Sequence, residues 1–126
     1  MMNKDRLLGQ LIKLSGITEK QLEYLLADIL AENKERLLDK ISRTSNKNIS
    51  KSSYVITCRR GRKNIKRALY TLIIAHYLGL ITRNSFTDLE KATSILNEAK
   101  TKELSAEQVS AIILTLERLT DKMTRA

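Results

Sequence analysis

The sequence contains no proline, only four glycines and a single cysteine, and each scarcity narrows the fold or the chemistry. Proteins built from strands and tight turns usually need more proline and glycine, so the composition favours helices. The one cysteine, Cys58, excludes an internal disulfide framework and any zinc site made only of cysteines. A chain without disulfides is typical of a reducing, intracellular compartment.

Long apolar runs are also missing. The longest nearly apolar run, residues 68–81, covers 14 positions, whereas about 20 are needed to cross a bilayer. The N-terminal segment MMNKDRLLGQL contains an acid and no sustained apolar core, so it does not predict a signal peptide. With 126 residues, 42% of them hydrophobic, the chain is long enough to bury a core. We expect one folded helical domain over residues 1–126 that makes no contact with a membrane.

Acidic residues are absent between Lys40 and Thr87. The flanking residues 1–39 and 88–126 each carry a net charge of −1, so the formal charge of +9 comes from the middle of the chain. Basicity that served only solubility would mix both signs, and this segregation favours a polyanionic partner. The eleven cations of the stretch are Lys40, Arg43, Lys47, Lys51, Arg59, Arg60, Arg62, Lys63, Lys66, Arg67 and Arg83.

Apolar residues at helical spacing predict four to five helices. Capping boxes at Thr18 with Gln21 and at Ser105 with Gln108 mark two of the N-termini. The polar, acid-free residues 42–53 predict a basic linker between helices. The predicted helices cover about 3–15, 18–41 and 62–78, and two more begin near Ser85 and after Ser105.

The stretch YVITC (54–58) is rich in β-branched residues, which lose side-chain freedom in a helix. It is either a short extended segment or a poor first turn of the next helix, and its composition favours the extended form. The helix that follows, about 62–78, is apolar almost all round, which is typical of a buried helix. It ends at Gly79, a residue suited to the position after a helix. The predicted fold class is all-α, a compact bundle of four to five helices around this buried central helix.

Six of the cations fall within nine residues, 59–67, at the start of the predicted central helix. The helix dipole opposes cations there unless an anion binds, and Gly61 would let backbone amides approach that anion. Arginine dominates the cluster, and its planar guanidinium suits bidentate phosphate contacts. A nearby tyrosine ring offers base stacking. The candidate nucleic-acid-binding residues are Arg59, Arg60, Arg62, Lys63, Lys66 and Arg67, supported by Arg43, Lys47, Lys51 and Tyr54.

A second candidate lies in LIKLSGITEKQLEYLL (11–26), which resembles the helix-turn-helix pattern of DNA-binding proteins, with Gly16 in the turn. The sequence departs from that pattern at Ile12, where a small residue is usual. The exposed face of the second helix is predicted to be acidic, and an acidic face should not enter a phosphate-lined groove. A plain helical hairpin is therefore the favoured interpretation. The acids concerned are Glu19, Glu23 and Asp28.

Signatures of catalysis are absent from the sequence. Cys58 lies beside arginines that would activate a thiol, but the phosphatase-like spacing places Asn64 where an arginine is required. His76 is the only histidine, which favours a satisfied core residue over a catalytic or metal-binding one. No phosphate-loop, HExxH or dinucleotide-binding motif occurs. We expect a protein that is not an enzyme and holds no cofactor or metal.

These features together predict a small non-catalytic protein that binds DNA or RNA through phosphate contacts. The alternative is an adaptor subunit of a larger complex, in which the same basic segment docks an acidic protein partner. The apolar helix would then be shared with that partner or with a second copy in a homodimer. We expect a cytoplasmic location, at the nucleoid or in the nucleus if the protein binds DNA.

Overall fold

A computed structural model describes residues 6–30, 37–42, 44 and 48–124. Within these residues the chain forms six helices and no strand, so the all-α prediction is confirmed. The predicted helix 18–41 is described as two helices, on either side of residues 31–36. The helices are α1 (Arg6–Leu14), α2 (Glu19–Leu30), α3 (Leu37–Ser42), α4 (Lys51–Tyr77), α5 (Ser85–Ala99) and α6 (Ala106–Met123).

The chain packs as two compact units, and α1 and α4 each contribute to both. The first, here the α2–α4 unit, covers residues 12–69. The second, here the α5–α6 unit, combines residues 6–11 with residues 70–124. Each unit has its own buried cluster. That residues 1–126 form a single domain stays a prediction.

The core of the α2–α4 unit is built around two tyrosines. The rings of Tyr24 and Tyr54 lie 5.4 Å apart at an interplanar angle of 31°. The Tyr54 hydroxyl donates a hydrogen bond to the Tyr24 carbonyl oxygen at 3.2 Å, so its buried polar atom is satisfied. Leu25, Ile41 and Cys58 complete the buried cluster.

The helix α4 begins at Lys51, eleven residues before the predicted start of the central helix. Ser50 caps it, because its Oγ accepts a hydrogen bond from the Ser53 backbone N–H at 3.1 Å. The prediction that residues 54–58 are extended is therefore wrong. β-Branched residues cost only some tenths of a kcal/mol each in a helix. Tyr54 and Cys58, four residues apart, both become buried on one helix face, and that burial outweighs the cost.

Gly61 lies in close contact with side chains of α2. A β-carbon built on Gly61 would stand 2.7 Å from Leu25 Cδ1 and 3.2 Å from both Leu25 Cγ and Gln21 Cβ. Only glycine fits at this distance without a shift of α2 side chains. Beside it, the Gln21 side-chain oxygen accepts a hydrogen bond from Asn64 Nδ2 at 2.9 Å. The same oxygen accepts from the Thr18 backbone N–H, which confirms the predicted capping box.

The α5–α6 unit packs its two long helices against each other and against the first part of α1. Leu7, Ala99 and Val109 are its buried centre, with Leu96 and Ile112 among the half-buried residues around them. The capping box of Ser105 and Gln108 is confirmed at the start of α6. An isolated bridge joins Ile81 and Thr124, where the Thr82 N–H donates to the Met123 carbonyl at 2.8 Å.

The apolar end of α4 is exposed, although its composition predicts a buried helix. Leu69, Tyr70, Ile73 and Ile74 keep more than half of their surface accessible, and Tyr77 keeps 85%. Leu72 and His76, on the other side of this part of α4, are half-buried, so only the face that carries the exposed residues is left uncovered by other described residues. Among the residues that the structure describes, no helix is both long enough and apolar enough to cross a bilayer. Gly79, with φ +70°, follows α4 as predicted.

Replacing Gly61 by alanine should destabilise the protein by about 1 kcal/mol, because the new methyl group displaces Leu25 and Gln21. Alanine in a helix interior is otherwise better than glycine by up to about 1 kcal/mol. Gly9→Ala in α1 is the matched control, since nothing lies within 4 Å of a β-carbon there. Urea unfolding should show opposite signs for the two variants. Equal stabilisation by both would contradict close packing at Gly61.

Candidate nucleic-acid interface

Five cations lie together on the outer face of α4. Successive residues of a helix are rotated by about 100°, which places these five within an arc of about 120° and along about 12 Å of the helix axis. They lie opposite the face that carries Tyr54, Cys58 and Gly61, and all five are exposed. We name this set the cationic face: Arg59, Arg60, Lys63, Lys66 and Arg67.

The cationic face has no acidic residue from its own helix, because α4 contains no aspartate or glutamate. Arg59, Arg60, Lys63 and Lys66 make no ion pair with any other residue that the structure describes. Neighbouring cations on one helix face repel each other by some tenths of a kcal/mol per pair. The arrangement therefore costs free energy in the isolated protein, and an anionic ligand would offset that cost.

Arg62 does not belong to the cationic face, because it is paired inside the α2–α4 unit. Its guanidinium and the ammonium group of Lys40 both bind the carboxylate of Asp28 on α2, the latter at 3.1 Å. The absence of acids between Lys40 and Thr87 therefore does not leave these two cations unpaired. Residues far apart in sequence meet here, and Asp28 is turned inward rather than outward as predicted.

The pKa of the Asp28 carboxyl is lowered from its ordinary value of 3.8. Partial burial by itself raises the pKa, but hydrogen bonds and the positive charges of Lys40 and Arg62 outweigh burial. Asp28 is thus ionised at neutral pH and fixes both cations. Its inward position also removes one acid from the surface of α2, although Glu19 remains exposed.

The expected anion site at a helix N-terminus is not present at residues 59–67. The helix starts at Lys51, so Arg59 lies in its third turn, and the dipole acts mainly within the first turn. Gly61 is in regular helix and packs against Leu25, so it forms no anion-binding loop. The cations of residues 59–67 therefore do not oppose the helix dipole. The unfavourable interaction that the sequence predicts between them and the dipole does not occur.

The remaining candidate residues have different positions. Lys51 is exposed at the first turn of α4, about 12 Å along the axis from Arg59. Tyr54 is buried, with 1% of its surface accessible, so its ring is not available to stack on a base. Burial occurs because the ring packs on Tyr24 within the core. Arg43 and Lys47 lie outside the described residues.

Cys58 is buried in the same core, and burial raises the pKa of its thiol. The hydrogen bond with Tyr54 acts in the opposite direction but is the smaller effect. A protonated, enclosed thiol is a poor nucleophile, which agrees with the interpretation of Cys58 as a passive core residue.

His76 belongs to the α5–α6 unit and contacts the start of α5. Its Nε2 shares a hydrogen bond of 2.6 Å with Ser85 Oγ, and its ring stacks on Phe86 at 4.4 Å. A serine beside a histidine is the beginning of a nucleophilic site. Ser85, however, has 0% of its surface accessible, so no substrate reaches it. In the described residues no three metal-binding side chains come together.

Sequence reasoning missed Asp28, Gln21 and Asn64 as partners across the α2–α4 contact. A signal was present, since Gln21, Leu25 and Asp28 follow the helical spacing of one face. Their partners on α4 lie between 34 and 43 residues away, and no local pattern connects the two sets.

The chain matches no protein-family model, no curated protein and no solved structure. The interpretation of the site therefore depends on its residues and their geometry.

Asp28→Asn should lower the free energy of unfolding by about 1 kcal/mol at pH 7, because the pair is only partly buried. A lowered folded-state pKa gives stability that is present above pH 3.8 and is lost as the pH falls through the folded value. The difference between wild type and variant should accordingly close below about pH 4. Asp121→Asn, on the exposed surface of α6, is the control and should change little. A pH-independent difference would contradict the ion pair.

Proposed function

We propose that this protein binds nucleic acid without catalysis, through contacts between the cationic face of α4 and phosphate groups. The observation that carries the proposal is the presence of five exposed cations, and no acid, on one face of one helix. Closely spaced phosphates along a nucleic acid match such a row of charges and release bound counterions on contact.

The geometry supports backbone contact more than base readout. Three of the five residues are arginines, whose planar groups bind phosphate oxygens in a bidentate manner. Asn64 is the amide side chain of α4 beside the cationic face, and its hydrogen bond to Gln21 holds it against α2 and away from a base edge. Phosphate contacts carry no sequence information directly, so we propose weak sequence preference.

The helix-turn-helix interpretation receives less support from the contacts. In a helix-turn-helix, α2 would be the recognition helix. It contacts α4 through Gln21, Leu25 and Asp28. Glu19 and Lys20 are exposed at its start, and they offer no net positive charge to a phosphate-lined groove.

A second candidate function is docking of an acidic protein through the same face. Charge alone does not separate a polyanionic nucleic acid from an acidic protein surface. The two differ in salt dependence, because condensed counterions are released only from nucleic acid.

Binding of random-sequence DNA and RNA should fall steeply with salt. If about five phosphates are contacted, log K against log salt should have a slope between about −4 and −5 for duplex DNA. The double variant Arg60→Glu/Lys63→Glu should weaken binding at least tenfold and make the slope shallower by about 2, one unit for each lost contact. Fluorescence anisotropy over a salt series measures both quantities.

Arg118→Glu/Lys122→Glu is the matched control, because it changes net charge equally at exposed positions of α6 that are not part of the cationic face. Arg62→Glu is unsuitable, since it breaks the pair with Asp28. Equal losses in both double variants would mean that net charge, and not the cationic face, drives binding. Absence of binding to DNA and RNA at low salt would overturn the proposal and leave the acidic partner.

A further inference from the structure

The exposed apolar residues of the α5–α6 unit are concentrated at one place. Four of them follow the spacing i, i+3, i+4 and i+7 along the last two turns of α4, which puts them on one helix face. Two exposed leucines follow the end of α4, and the ring of Phe86 lies against α4 because it stacks on His76. All seven keep between 55% and 85% of their surface accessible. We name this set the apolar surface: Tyr70, Ile73, Ile74, Tyr77, Leu78, Leu80 and Phe86.

The apolar surface is too large to be an ordinary scatter of exposed residues. An aromatic side chain buries about 150–250 Å² and an aliphatic one about 100 Å², so the exposed fractions amount to roughly 530–740 Å². Two such surfaces facing each other would bury up to about 1,100–1,500 Å², which overlaps the range of specific protein interfaces.

The charge pattern selects the partner. Six of the seven residues lie between Ala68 and Thr82, where no charged residue occurs, and Arg83 is the one charged residue between this segment and Phe86. A surface that is apolar and uncharged is complementary to itself, because no like charges meet when two copies come together.

We propose that the apolar surface binds a second copy of this chain, with the two α4 helices antiparallel. Helix α4 is continuous from Lys51 to Tyr77, and its cationic face precedes the apolar surface. In a parallel pair, at an interaxial distance of about 8–10 Å, ten cations would face each other within about one Debye length. An antiparallel pair separates the two cationic faces towards opposite ends of the interface. The dimer does not depend on the proposed nucleic-acid binding.

Sedimentation velocity of the full chain between about 1 and 100 μM tests the proposal without any ligand. A dimer with a dissociation constant in the micromolar range or below is populated over this range of concentration. Wild type should sediment with twice the chain mass of 14.4 kDa. Ile74→Glu should be monomeric, because each copy would bury an unpaired charge.

Leu114→Glu is the matched control, since Leu114 is an exposed apolar residue of α6 outside the apolar surface, and this variant should remain dimeric. Circular dichroism tests whether each variant is folded. If Ile74→Glu does not fold, Tyr77→Glu, at the most exposed position of the apolar surface, takes its place. A monomeric wild type at 100 μM, or a dimer that survives the substitution at either position, would overturn the proposal.

Salt distinguishes the orientation. An antiparallel dimer should have nearly the same dissociation constant at 0.05 and 0.5 M salt, because its cations are far apart. Strengthening of the dimer by tenfold or more with salt would indicate the parallel arrangement and overturn the proposed one. These outcomes are independent of whether nucleic acid binds.

Discussion

The close packing of α4 on α2 at Gly61 is the constraint on which the arrangement of these two helices depends. Without a β-carbon at this position, Leu25 can lie against the α4 backbone, and Tyr54 can reach the carbonyl of Tyr24. The contacts of Asp28 with Arg62 and of Gln21 with Asn64 flank the apolar packing. A rotation of α4 by one residue, about 100°, would break all of them, so its rotation is fixed.

That fixed rotation decides which side chains of α4 meet solvent. Arg62 is drawn to Asp28, whereas the five residues of the cationic face are left outward. One cation is therefore part of the fold, whereas four of its neighbours make no ion pair with any described residue, although the sequence shows them as one run. Solubility alone does not require such a face, because mixed charges would serve it with less repulsion.

Local signals in the sequence predict the all-α fold, the caps at Thr18 and Ser105 and the glycine after α4. They fail where a tertiary contact decides. Ser50 is one of five serines between residues 42 and 53, and nothing local marks it as the cap of α4. The helical state of residues 54–58 depends on burial against α2. Likewise, the lack of nearby acids in sequence does not reveal that Asp28, 34 residues from Arg62, is its partner.

Binding through the cationic face is tested most directly by NMR of the full chain while a random-sequence DNA duplex is added at low salt. The backbone amides and arginine side chains of residues 59–67 should show the largest changes, and the signals of α6 should stay in place. Largest changes at the start of α2, or changes spread evenly over the chain, would contradict binding by this face.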